Sequence, residues 1–451
     1  MENKTVLYIT GCILLLLTSC LGSDDNTSIA APRDAQIATF SLTNDSVPGL
    51  NNVKFTIDQL NGLIFNLDSM PYGTEVEQVL CNMTFTAYAI NAAITPEAQP
   101  DTTFSWIEKD SINFSKPIKI VVTAVDGVTT KTYTAKLNIH QVNPDSMLWE
   151  RYADNLIPET IQEQKIITHV YNNTDVYFMY VKTSENYKLY YSPIADIKRW
   201  EELPLSGLSG NDKLISQLTT FGSFVYIPSN SGSIYSSSDG ISWTLAGNTP
   251  SVRYLLGALN EGRNQSPVLA AIVEDNGMLS FACMNENEEW TMGENVHNKF
   301  PLTNFASYSY TNMYHAYVML VGGRDRENQL TNTTWATMNG KDWTLLTNEG
   351  TGYFEKREGM ALTKYDEKFF LTGGMNTEGK ASKEIYTSID NGVTWVLQDT
   401  LVIFPDAYNA RGFASVQVDK DNYMLIFSGK TSNDTYQLNE IWRGRINRLG
   451  F

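Results

Sequence analysis

Five arginines stand where their types and neighbours could do chemistry. Arg253 lies in Ser251-Val252-Arg253-Tyr254, Arg357 in Lys356-Arg357-Glu358-Gly359, and Arg411 in Ala410-Arg411-Gly412-Phe413. Arg324 and Arg326 follow Gly322-Gly323. A guanidinium offers a planar fork of donors that fits a carboxylate or sulfate two-pronged. Such groups matter more in this chain because its 50 acidic and 33 basic side chains leave a formal charge of −17. That balance opposes broad attraction to nucleic acid or anionic lipid, so any anion must be met by a local basic patch. The alternative is that these arginines pair with nearby acids such as Glu358 and Asp406, or solvate their loops.

Other chemistries are poorly provided for. The four histidines, His140, His169, His297 and His315, are scattered. No His/Cys cluster has zinc-ligand spacing, and no two-histidine, two-tyrosine set is marked out for copper. Phosphate-cradling glycine loops and a Gly-x-Ser-x-Gly elbow are absent. Asp419-Lys420-Asp421-Asn422 lacks the later Gly and Glu of a calcium loop and reads as a hairpin turn. The sequence implies no metal, no cofactor and no catalytic residue, although Glu358 and Asp325 would be the carboxylates to consider if the chain were a glycosidase or lyase.

Whether the arginines act together depends on the elements that carry them. The 451 residues leave room for two or three domains, and 42% hydrophobic with 12% aromatic residues fits a globular, β-leaning chain. Residues 144–451 repeat. An aromatic centres a short strand at Tyr190, Tyr235, Phe281, Trp335, Tyr386 and Trp442, and a tryptophan follows the first five at Trp200, Trp243, Trp290, Trp343 and Trp395. None follows Trp442; the sixth is Trp149, at the start of the region. A closed ring whose N-terminal strand completes its last blade requires this offset. The spacings between successive tryptophans suit four-stranded blades, so a six-bladed β-propeller is expected.

Before it, residues 35–143 alternate apolar and polar side chains over Ile37–Leu42, Val53–Ile57, Leu63–Asn66, Ile118–Val122 and Lys131–Leu137, with an Asp126-Gly127 turn between the last two. This pattern indicates an antiparallel β-sandwich. The fold class is therefore all-β, a sandwich followed by a propeller. Cys81 and Cys283 fall in different domains and are expected to remain separate buried thiols.

At the N-terminus, Lys4 precedes an apolar run from Val6 to Leu17, shorter than the roughly 20 residues a membrane-spanning helix needs. Residues 1–19 read as a signal peptide. Leu17-Thr18-Ser19-Cys20 resembles a bacterial lipobox, which implies lipidation of Cys20. The tether, residues 20–34, contains Leu21-Gly22-Ser23-Asp24-Asp25-Asn26 and resembles the surface-export signal of Bacteroidota lipoproteins, implying an outer-membrane protein exposed on the cell.

Three further resemblances bear on the domains. Met70–Val76 and Val122–Tyr133 resemble the immunoglobulin-like spacer domains of such lipoproteins. Ser388-Ile389-Asp390-Asn391-Gly392-Val393-Thr394-Trp395 matches the Asp-box turn of sialidases and other propellers, with shorter relatives at Ser237–Trp243 and Met338–Trp343. Met319–Gly323, Phe369–Gly374 and Leu425–Gly429 resemble the kelch strand, also present in the galactose-oxidase central domain. The whole chain resembles a family of Bacteroidota surface lipoproteins with an immunoglobulin-like sandwich and a kelch-like, galactose-oxidase-like propeller, a resemblance that implies architecture and no activity. The sialidase arginine motif Phe-Arg-Ile-Pro is missing.

In a propeller, the loops before the innermost strands share a face with the loops between second and third strands. Arg253, Arg324, Arg326, Arg357, Glu358 and Arg411 are therefore candidates for binding a ligand at the channel mouth. The expected function is a non-catalytic surface protein that binds a glycan or a protein. The alternatives are a carbohydrate-active enzyme and a scaffold subunit of an outer-membrane complex.

Overall fold

The structure is a computed structural model describing residues 31–450 except 88, 248, 348–353 and 433. The signal segment and Cys20 lie outside the described residues. Two compact units divide between Asn143 and Pro144.

The first unit is a β-sandwich. One sheet pairs Ile37–Thr43 with Val79–Phe85 and that strand with Ser111–Ile112. The other has six strands, in spatial order Phe55–Asp58, Leu63–Asn66, Thr130–Lys136, Ile118–Ala124, Ala89–Pro96 and Phe104–Ser105. Side chains alternate between faces along a strand, so Ile118, Ile120 and Val122 all enter the core beside Ile37, Leu42, Cys81 and Tyr133. Asp126 shapes its turn by accepting the Val128 and Thr129 amides at 3.0 and 2.8 Å. One seam departs from the antiparallel expectation: Leu63–Asn66 runs parallel to Thr130–Lys136, because these distant strands meet by a crossover and not a hairpin.

The second unit is a six-bladed propeller, six four-stranded antiparallel sheets among the described residues. Blades 1 to 5 take their strands in chain order, with innermost strands Glu163–Tyr171, Thr219–Phe221, Val252–Leu259, Ala306–Thr311 and Glu358–Tyr365. Blade 6 is built from Ser415–Val418, Met424–Phe427 and Glu440–Ile446, and its outermost strand is Met147–Asp154 from the start of the unit. The tryptophan offset has this origin: Trp149 lies opposite Gly444 in that closing pair.

The core is distributed as layers between adjacent blades. Trp243 of blade 2 meets Tyr180 of blade 1 edge-on at 5.9 Å, Trp343 of blade 4 meets Phe281 of blade 3 at 5.9 Å, and Trp200 of blade 1 meets Phe427 of blade 6 at 6.2 Å. Burying such rings, at roughly 1.5–3 kcal/mol each, holds blade to blade. The turn at Ser388–Trp395 wraps its own Asp390, whose carboxylate accepts the Thr394 amide at 2.9 Å and the Thr394 hydroxyl at 2.6 Å. Gly392, at φ +86°, sits so close to Met319 and Thr334 of blade 4 that no side chain fits.

Candidate functional site

The loops that lead into the innermost strands place the arginines, and most are held by carboxylates. Arg411 is 1% exposed and donates to Glu440 at 2.7 Å, to the Ser428 carbonyl at 2.9 Å and to the Asn409 carbonyl at 3.0 Å, while lying 4.2 Å from the Tyr408 ring centre. Arg357 is also buried and donates to Glu355 at 2.9 Å and to Glu384. Glu384 and Glu440 occupy equivalent places, two residues before the third-strand aromatic of their blades. Each accepts from that aromatic, Tyr386 Oη at 3.2 Å and Trp442 Nε1 at 2.9 Å. Blade 1 builds a similar tie with charges exchanged: Glu159, in the loop before its innermost strand, accepts from Lys188 and Tyr190.

Burial pushes the Glu440 carboxyl up, but the hydrogen bond and charge of Arg411, with Trp442 and Arg151, hold it below the usual carboxylate range. Glu384 is likewise raised by burial and lowered further by Arg357.

The remaining candidates are also engaged, with one exception. Arg324 forks onto Glu358 of the next blade, which also accepts from Asn304 Nδ2 at 2.6 Å. Arg253 pairs with Glu274 at 2.5 Å and donates to the Asn230 carbonyl of blade 2 at 2.6 Å. Asp325 accepts the Glu327 and Gln329 amides at 2.9 Å each, which makes it a turn residue. Arg326 is exposed on the same loop. Asp406 pairs with Lys383 at 3.6 Å, not with an arginine. None of the five arginines lines the channel cavities described next. The structure does not bring them to a common point: Arg253, Arg324, Arg357 and Arg411 are each bonded where they stand, and Arg326 is exposed.

The channel mouth is built from other residues. A cavity of about 490 Å³ is lined by Gln162–Lys165 of blade 1, Leu214 and Ser216 of blade 2, Asn304 and Phe305 of blade 4, Gly359 and Met360 of blade 5, and Phe413–Ser415, Lys430, Thr435 and Gln437 of blade 6. Phe413 is half-buried at φ +60°, a left-handed conformation that a bulky residue rarely takes, and its ring covers Gly359 where a side chain would otherwise stand. Its amide donates to the Gly359 carbonyl at 2.6 Å, and the Gly359 amide donates to the Asn304 carbonyl at 2.8 Å. Three blades are thereby stitched together under the mouth.

Deeper in, two further cavities of about 300 and 350 Å³ are walled by the innermost strands, and Lys165 lines all three. Two of the channel serines are occupied with neighbouring blades: Ser415 Oγ donates to Gln164 at 3.0 Å, and Ser307 Oγ to the Leu256 carbonyl at 2.6 Å. Lys165 differs. Among the described residues its amine has no hydrogen-bond or ion-pair partner, and burial alone pulls its pKa below the ordinary lysine value. Sequence reading missed both Lys165 and Phe413. For Phe413 a signal stood beside Arg411; for Lys165 it lay only in knowing that its strand lines the channel.

Among the described residues no three His, Cys, Asp or Glu side chains are grouped to hold an ion. His297 stacks on Trp335 and His169 packs on Phe178, while Asp419 accepts the Asp421 and Tyr423 amides of its own turn. Cys81 and Cys283 are free, buried thiols, and burial pushes Cys81 up to about 12.

Known proteins were compared with this architecture. A search of curated proteins gives no match. Among solved structures, that of YjhT aligns at 10% identity with a TM-score of 0.45, covering 64% of this chain and 96% of that one. The family model described as the DUF6242 beta propeller domain matches residues 143–451, and that described as the DUF6242 N-terminal domain, a domain of unknown function, matches residues 29–137. The ring closed by Met147–Asp154 and the sandwich before it are thus the two parts of one family pattern, and the chain belongs to the DUF6242 family.

Proposed function

We propose that this protein is a non-catalytic, ligand-binding surface lipoprotein, a kelch-like propeller of the Bacteroidota type carried on an immunoglobulin-like spacer. Cys20 takes the lipid, the acidic tether that follows directs export, and the propeller's mouth engages a glycan or a protein segment outside the cell. The observation that carries this reading is the mouth cavity. It combines two aromatic side chains, Phe305 and Phe413, with uncharged amides and hydroxyls, and its lining holds a single carboxylate, Glu163, which itself pairs with Lys182 at 3.5 Å. Aromatic faces and neutral hydrogen-bonding groups suit a sugar ring or a peptide. A hydrolase needs two carboxyl groups flanking the scissile bond. Here Glu358 is bound by Arg324 and Asp325 by its own turn.

The soluble form beginning after Cys20 is tested on a glycan array together with Phe305→Ala and Phe413→Ala. Binding by the unaltered protein that is lost in both variants supports the mouth as the site. Binding unchanged by either substitution removes it, and silence across the array turns the search to proteins. Separately, protease accessibility on intact cells reports surface display, and Cys20→Ala is expected to release the protein from the membrane fraction. Retention of that variant in the membrane would overturn the lipid anchor.

A further inference from the structure

Lys165 stands in an unusual electrical setting for so acidic a chain. It projects from the first innermost strand and lines the mouth cavity and both deeper channel cavities. Across those linings the charged side chains are Lys165, Lys430 and Glu163, and Glu163 is tied to Lys182. Among the described residues no carboxylate answers Lys165. The rest of the lining is neutral, with Ser307, Ser415, Gln417 and Thr363 beside Phe305, Tyr308 and Met360. A protein with charge −17 thus keeps a channel whose cations exceed its acids.

Holding an ammonium group away from bulk water without a counter-ion is costly, and burial already disfavours its charged form. The buried cations of this propeller avoid that cost. Arg357 and Arg411 have carboxylates, and Lys213 has Asp212 and the Ser209 carbonyl. In the channel the described residues supply no balancing group, and the cavity around the amine is large enough for a sugar-sized ligand to supply it.

We propose that the channel behind the mouth is a carboxylate subsite, in which Lys165 binds the acidic end of a ligand such as a uronic acid while Phe413 and Phe305 contact its neutral body. In the deeper cavities Lys165 stands without Lys430, which lines the mouth alone, so one ammonium there matches one carboxylate and a phosphate dianion would leave charge unbalanced. This deepens the ligand-binding reading of the mouth and rests on it.

The test is calorimetric titration of the soluble protein with D-galacturonate and, as the neutral counterpart, D-galactose. Galacturonate is expected to bind more tightly than galactose, to weaken about tenfold to a hundredfold in Lys165→Met, as for loss of a hydrogen bond to a charged group, and to be largely retained in Lys165→Arg. Lys165→Met keeps the stem and removes a half-buried, unpaired charge, so its melting temperature is expected not to fall, which separates lost binding from lost fold. Equal binding of the two sugars, or galacturonate binding untouched by Lys165→Met, overturns the subsite. Competition by inorganic phosphate as strong as that by galacturonate overturns the carboxylate assignment. If array glycans bind through Phe413 with no preference for acidic sugars, the mouth stands and the subsite falls. If galacturonate binds through Lys165 while Phe413→Ala changes nothing, the subsite stands and the aromatic mouth falls.

Discussion

Arg411 and Glu440 form a buried pair, 2.7 Å apart and 1% and 3% exposed, that joins the loop before the last innermost strand to the third strand of the same blade. Trp442 shares the Glu440 oxygen that Arg411 uses, and Arg151 of the closing strand reaches the other. One carboxylate therefore gathers a loop, a core tryptophan and the N-terminal strand.

Arg411→Ala leaves that carboxylate buried with only its weaker partners. Removing one member of a buried pair costs about 3–5 kcal/mol, whereas replacing both by apolar groups of similar volume is often close to neutral. Denaturant unfolding of the propeller is expected to show a large loss for Arg411→Ala and a much smaller one for Arg411→Met combined with Glu440→Leu. A double variant as unstable as the single one would contradict the pairing account.

The same geometry sets a pH dependence. Burial raises Glu440 and Glu384 while their arginines lower them further, and Asp366 is lowered first by its hydrogen bonds from Arg448. Each folded pKa lies below the unfolded value of about 4. The stabilisation these groups give is thus complete above that value and lost as pH falls through the folded pKa, where the unfolded chain binds more protons. Melting temperature measured against pH should hold level near neutrality and drop on the acid side. Arg448→Met should flatten the acid limb by removing the main cause of the Asp366 depression.

Gly392 tests the turn that seats one blade on the next. At φ +86°, a Cβ there would stand 2.7 Å from Met319 Sδ and 2.9 Å from Thr334 Cγ2. Gly392→Ala combines backbone strain with a clash, and a loss of roughly 1–3 kcal/mol is expected. Asp390→Ala, which removes the acceptor of the Thr394 amide and hydroxyl, should destabilise in the same range and leave ligand binding unchanged. Faster hydrogen exchange confined to the Ser388–Trp395 turn and its blade 4 neighbours would check both.

The ring was legible because packing fixes where large aromatics stand. Each inner aromatic sits in a third strand and each tryptophan at or beside a fourth, so the spacing carried the blade count and the missing sixth tryptophan carried the closure. In the sandwich, Val79–Phe85 was harder to read because Leu80 faces outward at 39% exposure and blurs the alternation. The site was less legible for two physical reasons. An arginine that grips a ligand and one that grips an acid of its own blade look alike in sequence, and Arg357 and Arg411 reach Glu384 and Glu440, 27 and 29 residues later, where the third strands of their blades begin. Lys165 sits in Glu-Gln-Lys, which reads as a solvated strand end until closure of the ring turns that face toward a channel.

Closure itself can be challenged at one position. Met147–Asp154 pairs with Glu440–Ile446 along nearly its whole length, and Arg448 adds a 2.9 Å bond back to Asp145. Within this clasp the Trp149 ring lies against Gly444, where a Cβ would come within 2.4 Å of it, and packs at a tilt on Phe404, the ring centres 4.4 Å apart. Gly444→Val must therefore displace the tryptophan that completes blade 6, an overpacking cost of about 1–3 kcal/mol. Because the closing strand is held on one edge only, the strain should appear there first: limited proteolysis is expected to cut around residues 144–154 in Gly444→Val before it cuts any other blade. With the strand gone, Glu440–Ile446 becomes an unpaired edge, and such edges recruit other chains. Light scattering should then show association of the nicked protein, and adding a peptide of residues 147–154 should suppress it. Uniform cleavage across all blades would mean that closure is not the weak seam of the ring.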